Sequence, residues 1–406
     1  MKKSFQLLLL ILIACSCKEK EEAVLNEGIW RAEMEVQDGQ LLPFNFLLKK
    51  GEFGYSMEVY NAEETVKIDD FTLKGDSITI QMPVFDGYFA GIYAENLIEG
   101  EFIKDDLERN VPFKAVYGDS LRFKGNKVST QNIEGIWQAE FSENTDDAYI
   151  AKGIFQQEDG RVIGTIRTTT GDYRYLEGTM QGDSLKLSTF DGAHVFLFLA
   201  KVTDTTMNGV FYSGNHFKEP FEAIRNENYE LPSEDSLTYL KKGYDKVTFS
   251  FPDTKGNYIS PDDPQFRDKV VILQIMGTWC PNCLDETKFL VDYLGNNPTD
   301  DLKIIALAFE YAKTEERAIR GIERLRDRLE IPYPIVLAQY GTSNKEIANE
   351  KLPMLNHILS YPTTIFIDKQ GKVRKIHTGF NGPATGEKYL TFKKEFHDFV
   401  QELQAE

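Results

Sequence analysis

Gly277-Thr278-Trp279-Cys280-Pro281-Asn282-Cys283 carries the plainest chemical signal in the chain. An apolar run, Val270 to Met276, leads into it, and a helix-like run, Leu284 to Leu294, follows. A strand that delivers a Cys-x-x-Cys pair to the first turn of a helix makes a reactive dithiol. The thiolate is the reacting species, and the free N–H groups and positive dipole end of a helix N-terminus lower a cysteine pKa. Cysteines three apart on that turn share a face and can close a small disulfide. Cys280 is then the exposed attacker and Cys283, one turn in, the resolving partner. The competing reading is half of a zinc site. It needs two further ligands, yet the other cysteines are N-terminal and His194, His216, His357, His377 and His397 stand singly. Neither a metal nor a cofactor is expected.

Further pieces follow in order: Asp285-Glu286-Thr287, then Tyr361-Pro362-Thr363-Thr364-Ile365-Phe366-Ile367-Asp368. With the run Val270 to Cys283, these make residues 247–406 resemble the thioredoxin-fold domain of the TlpA/ResA-like disulfide reductases, in the form common among Bacteroidetes lipoproteins. A proline just before an internal strand must sit at an edge or in a cis turn. The resemblance implies a cis Pro362 facing the dithiol, which leaves the backbone before it free to pair with an extended client. It also implies a substrate groove lined by Trp279, Pro281, Tyr361, Pro362 and Thr363. Glu286 is implied to be buried near the dithiol, where a carboxyl of raised pKa can take the proton of Cys283. Its neighbours Asp285 and Lys288 are expected to be solvated. Gln274 stands where thioredoxin has a buried acid, so no carboxylate relay is expected there.

The rest of this region reads as alternating elements. Val247–Phe251 is an expected opening strand, and 304–309, 334–338, 364–368 and 373–377 are further strands. Helices are expected over 315–329, 343–352 and 389–403. The arginines of the first of these (Arg317, Arg320, Arg324, Arg326, Arg328) are interleaved with acids, which points to a solvated face rather than a phosphate site. His377 is expected to be structural.

The 406 residues carry 64 acids against 46 bases, a net charge of −18, which argues against nucleic acid as a partner. Met1-Lys2-Lys3 and the short apolar run Phe5 to Ala14 read as an export signal, too short to span a bilayer as a mature helix. Leu12-Ile13-Ala14-Cys15 resembles the bacterial lipobox, so Cys15 (or Cys17) is the expected lipidation site. Residues 1–17 are thus a lipoprotein signal and 18–26 a charged tether, placing the protein on a membrane outside the cytoplasm. An oxidising compartment favours structural disulfides, but this chain has no cysteine pair to spare for one, so its dithiol reads as chemical.

Between tether and redox region lies a duplication. Glu27-Gly28-Ile29-Trp30 returns as Glu134-Gly135-Ile136-Trp137, Gly75-Asp76-Ser77 as Gly182-Asp183-Ser184, and Phe85-Asp86-Gly87 as Phe190-Asp191-Gly192. Gly100-Glu101-Phe102 and Pro112-Phe113 return as Gly209-Val210-Phe211 and Pro220-Phe221, giving a repeat of about 105 residues. Short alternating runs broken by turn signals predict all-β, barrel- or sandwich-like units at 27–128 and 129–228, with a linker over 229–246. The expected fold is therefore two tandem all-β repeats followed by an α/β thioredoxin-fold domain. The Gly-x-Trp opening is similar to that of lipocalin-like barrels, where the indole plugs one end. Small barrels are usually filled by their own side chains, which favours a structural role over ligand binding.

Three functions compete. A membrane-anchored thiol–disulfide oxidoreductase, probing disulfide-bonded client proteins through Cys280 and Cys283, fits the motif. The resemblance implies the reducing direction and a membrane thiol electron donor. A peroxiredoxin-like thiol peroxidase needs a Pro-x-x-x-Thr-x-x-Cys loop, and Thr278 stands two residues before Cys280 rather than three. A ligand-binding lipoprotein with an accessory redox domain is the third.

Overall fold

A computed structural model describes residues 24–125 and 127–406. The export signal, Cys15 and Cys17 lie outside the described residues. Among the described residues, no helix is long and apolar enough to cross a membrane.

The duplication folds into two separate nine-stranded antiparallel sheets. The first runs from Gly28–Glu35 to Arg109–Tyr117, and its end strands, Glu64–Ile68 and Asp70–Lys74, are joined by Asp69 alone. The second is closed: Tyr149–Glu158 pairs with Arg161–Thr168, sealing eight strands into a ring. The two-residue strand Gly171–Asp172 is left appended to Arg161–Thr168. Matching residues of the repeat do matching work. Gly75 and Gly182 both turn a hairpin in the left-handed region, at φ 63° and 61°. Trp30 donates its indole N–H to the Asn26 carbonyl at 2.9 Å, and Trp137 to that of Ile133 at 2.8 Å.

Alternation along the strands turns large side chains inward. Trp30, Phe44, Phe46, Phe89 and Phe102 fill the first barrel, and Trp137, Phe141 and Phe198 the second. These barrels are packed with their own aromatic rings. Phe190, from the second sheet, crosses over and stacks on Phe44 with ring centres 4.8 Å apart.

The C-terminal part carries a five-stranded sheet in the order Ile335–Gln339, Leu302–Phe309, Val270–Met276, Thr363–Ile367, Val373–Thr378. The first three run parallel, Thr363–Ile367 runs antiparallel to them, and Val373–Thr378, antiparallel to that strand, returns to their direction. Val270–Met276 is buried at every position, as a strand covered on both faces must be. Around the sheet lie α1 (Pro281–Asn296), α2 (Glu315–Leu329), α3 (Lys345–Lys351) and α4 (Glu387–Ala405).

Three local expectations fail. Of the expected opening strand Val247–Phe251 only Phe251 joins a ladder, in which Phe251–Pro252 pairs with Tyr258–Ile259. The face of α2 is not simply solvated. Arg317 pairs with Asp106 at 3.1 Å and with Asp86 at 3.4 Å, and Arg328 with Asp69 at 3.0 Å, so this helix docks on the first barrel. Asp285 is not solvated either: it pairs with Arg174 of the second barrel at 3.1 Å. No pattern within one segment could reveal these contacts, because each partner comes from a different sheet.

A candidate dithiol site under a β-barrel

Cys280 is the N-cap of α1, with extended backbone, and Pro281 opens the first turn. Proline suits that position because its missing N–H has no partner to lose. The Sγ of Cys280 accepts the backbone N–H of Cys283 at 3.1 Å, so one free amide of the helix N-terminus points at this sulfur. Cys280 and Cys283 form a disulfide, with Cα atoms 5.2 Å apart. Tyr361–Pro362 is a cis peptide, and the Tyr361 carbonyl oxygen lies 3.4 Å from Cys280 Sγ. Residues some eighty positions apart in the chain thus meet at one sulfur.

Glu286 lies one turn beyond Cys283 and is buried. Burial pushes its carboxyl up to about 7, against the opposing pull of hydrogen bonds from Thr364 and Gln274. Thr364 Oγ1 donates to one carboxylate oxygen and Gln274 Nε2, at 2.9 Å, to the other. The same Gln274 amide reaches the Cys283 carbonyl at 3.4 Å. Gln274 thus links Cys283 to the buried acid without being an acid itself.

A second buried acid escaped the sequence reading. Glu310, just past the strand Leu302–Phe309, accepts the Thr278 N–H at 2.8 Å and the Thr278 hydroxyl at 2.7 Å. Burial raises its carboxyl to about 7 as well. Trp279 donates its indole N–H to the Phe309 carbonyl at 2.9 Å and packs edge-on against Tyr361. The turn before Cys280 is therefore held at two successive residues from one strand end. An isolated Glu after an apolar run gave no signal, since nothing local distinguishes it from a solvated residue.

The groove residues are brought together, but not as an open groove. Pro281, Tyr361, Pro362 and Thr363 are buried, Trp279 is partly so, and Cys280 is only 6% exposed. The expectation of an exposed attacking cysteine is corrected. The cause is a segment of the second barrel, Thr168 to Arg174, laid over the dithiol face. Asn282 donates to the Asp172 carbonyl at 3.0 Å, and Ser360 to that of Thr170 at 2.9 Å. His377 is structural in its contacts: its Nδ1 lies 2.8 Å from Asp235, holding the linker to the sheet edge. Among the described residues no group of three or more His, Cys, Asp or Glu side chains could hold a metal ion.

Residues 243–376 match the model of the AhpC/TSA family. The chain is similar to the thioredoxin-like protein YneN of Bacillus subtilis (strain 168), 26% identical over 140 residues, which covers 34% of this chain and 73% of the relative. It is also similar to the thiol-disulfide oxidoreductase ResA of Geobacillus thermodenitrificans, 27% identical over 114 residues, covering 28% of this chain and 57% of the relative. A solved thiol-disulfide oxidoreductase from Bacteroides fragilis NCTC 9343 aligns over 37% of this chain and 99% of its own, at 20% identity and a TM-score of 0.27. A dithiol capping a helix beside a cis-proline, on a sheet of this order, agrees with those sequence matches: the C-terminal part of this chain has a thioredoxin fold and is similar to the TlpA/ResA-like thiol-disulfide oxidoreductases.

Proposed function

We propose that this protein is a membrane-anchored thiol–disulfide oxidoreductase of the cell envelope that reduces disulfide-bonded client proteins. The observation that supports it most is the Cys280–Cys283 disulfide at the start of α1, with the carbonyl before a cis-proline beside the attacking sulfur. In the reduced protein the Cys280 thiolate attacks one sulfur of a client disulfide and expels the other as a thiolate. The Cys283 thiol then loses its proton to Glu286 and attacks Cys280 Sγ. The client leaves as a dithiol, and the Cys280–Cys283 disulfide remains. Two electrons from a membrane thiol donor restore the starting state. Trp279, Tyr361 and Thr363 shape the wall on which the client chain lies, and the backbone at Tyr361 pairs with it. Anchoring rests on the lipobox-like Cys15 (or Cys17), and the barrels space the redox domain from the membrane.

The reading is tested by giving the reduced full-length protein either insulin or hydrogen peroxide, with dithiothreitol as electron source. Insulin reduction well above the dithiothreitol background, with little peroxide consumed, is the expected result. Rapid peroxide consumption without insulin reduction would instead make the protein a thiol peroxidase.

Glu286→Gln isolates the proton step. General-base assistance of this kind is worth about 10²–10⁴-fold, so resolution of the mixed disulfide is expected to slow by roughly 100-fold or more at pH 8. In the wild-type protein that step rises with pH through about 7, where Glu286 becomes able to accept a proton, and the variant loses this inflection. Stability shifts the other way. A carboxyl whose folded pKa lies above its unfolded value holds its proton in the folded state, so the wild type loses stability as pH rises from about 4.5 past 7. Glu286→Gln removes that loss, and its advantage in urea denaturation grows across the same window. A flat difference between pH 5 and 8 would show that Glu286 is ionised throughout.

A further inference from the structure

The segment over the dithiol is not a passive neighbour, because it contacts the edges along which a client must lie. Ser360, two residues before the cis-proline, donates to the Thr170 carbonyl. Gly379, at the end of the strand Val373–Thr378, bonds to the Pro362 carbonyl, and a Cβ there would sit 2.5 Å from the Thr170 backbone. Asn282, between the two cysteines, donates to the Asp172 carbonyl, and a Cβ on Gly171 would sit 2.4 Å from its side chain. The Asp172 carboxylate accepts the Gly382 N–H at 2.6 Å. Carbonyls of the segment therefore accept side-chain hydrogen bonds on both sides of the sulfur, and two glycines permit the close approach. An extended peptide offers the same main-chain carbonyls to such a groove.

We propose that Thr168–Arg174 is a built-in occupant of the client groove, so that a client reaches Cys280 only by displacing this segment as the second barrel moves off the redox domain. The fastening is polar. Arg174 pairs with Asp285 of α1 and with Glu64 of the first barrel, and its Nη1 donates to the Pro281 carbonyl at 3.2 Å. Arg167 donates to Asn381 at 2.9 Å and pairs with Glu230 at 3.0 Å. Paired charges and main-chain hydrogen bonds regain water partners when they part, so such an interface separates at lower cost than an apolar one. The occupant also describes what the groove accepts: an extended segment with a glycine or other small residue where it crosses Asn282.

This proposal rests on the dithiol reading, yet its test requires only a thiol at Cys280. The reduced full-length protein is treated with iodoacetamide, and alkylation of Cys280 is timed by mass spectrometry in the wild type and in Gly171→Val. The added side chain cannot fit against Asn282, so at least tenfold faster alkylation is expected in the variant. Equal rates, with the wild type reacting as fast as a small free thiol, would overturn the proposal. Should the variant fail to fold, hydrogen exchange on the wild type decides. Peptides 168–174 and 376–382 are expected to be protected and to open together, and free exchange of 168–174 beside a protected 376–382 would refute an occupied groove. A protein that reduces no insulin can still give either answer, so failure of the reductase reading is seen separately.

Discussion

Full-length protein carrying Cys280→Ser is expected to reduce insulin no faster than dithiothreitol alone, whereas Cys283→Ser is expected to stop at a stable mixed disulfide through Cys280. The asymmetry follows from position. Cys280 caps α1, where the Cys283 N–H points at its sulfur and the dipole end favours negative charge. Serine at this place keeps the cap, since its oxygen can accept the same N–H. It cannot act as the nucleophile, because a hydroxyl with no paired base stays protonated near neutral pH. The fall in rate is therefore chemical, and the melting temperature is expected to stay close to that of the reduced wild type. Cys283 is fully buried, so it reaches no client directly and acts only on the sulfur of Cys280. Its loss leaves the first exchange intact and removes the second. In cell envelopes from the native source, the Cys283→Ser variant is expected to retain client proteins releasable by reductant, and mass spectrometry names them. If Cys280→Ser keeps insulin activity, or if Cys283→Ser holds no adduct while the wild type is active, the assignment of the two roles is wrong.

Phe190→Ala is expected to cost about 3–5 kcal/mol, the usual range for removing a fully buried aromatic ring. Phe190 belongs to the second sheet but fills the first barrel, where its ring centre lies 4.8 Å from Phe44, 5.2 Å from Phe102 and 5.4 Å from Phe89. Its backbone is fixed as well. Asn61 of the first sheet donates to the Phe190 carbonyl at 2.9 Å, and buried Arg122 donates to Asn61 at 2.9 Å and to the Ser188 hydroxyl at 2.9 Å. These bonds hold the ring in place, so the core cannot easily close over the gap left by truncation. Phe190→Leu keeps most of the volume and is expected to lose less than half as much. Urea denaturation followed by fluorescence reports the loss, since Trp30 and Trp137 lie in the two barrels and Trp279 beside the dithiol. A loss below about 1 kcal/mol would show that the ring carries little of the packing between the barrels. Separating the barrels is also expected to loosen the segment over the dithiol, because Arg174 ties that segment to Glu64 of the first barrel.

Local chemistry made much of this protein readable from its residues. The Cys-x-x-Cys pair between an apolar run and a helix, with a proline before a later strand, announced the redox site. The cis peptide at Pro362 and the burial of Glu286 agree with what the resemblance implied. The repeat foretold two β-units because glycines and tryptophans recurred where turns and barrel ends need them. Glu310 and Arg174 stayed hidden, since a buried charge is identified by its partners, and those partners lie in other segments.

Spacing alone thus revealed the Cys280–Cys283 pair at a helix start, the succession of strands and helices after it, and the doubled β-unit ahead of it. These depend on spacing and side-chain character within short stretches. The cover on the dithiol, with Thr168–Arg174 across the groove and the arginines of α2 fixed to the first barrel, emerged from the folded chain alone. Such contacts arise between surfaces contributed by separate sheets, and no periodicity along one segment records which surface another segment will meet.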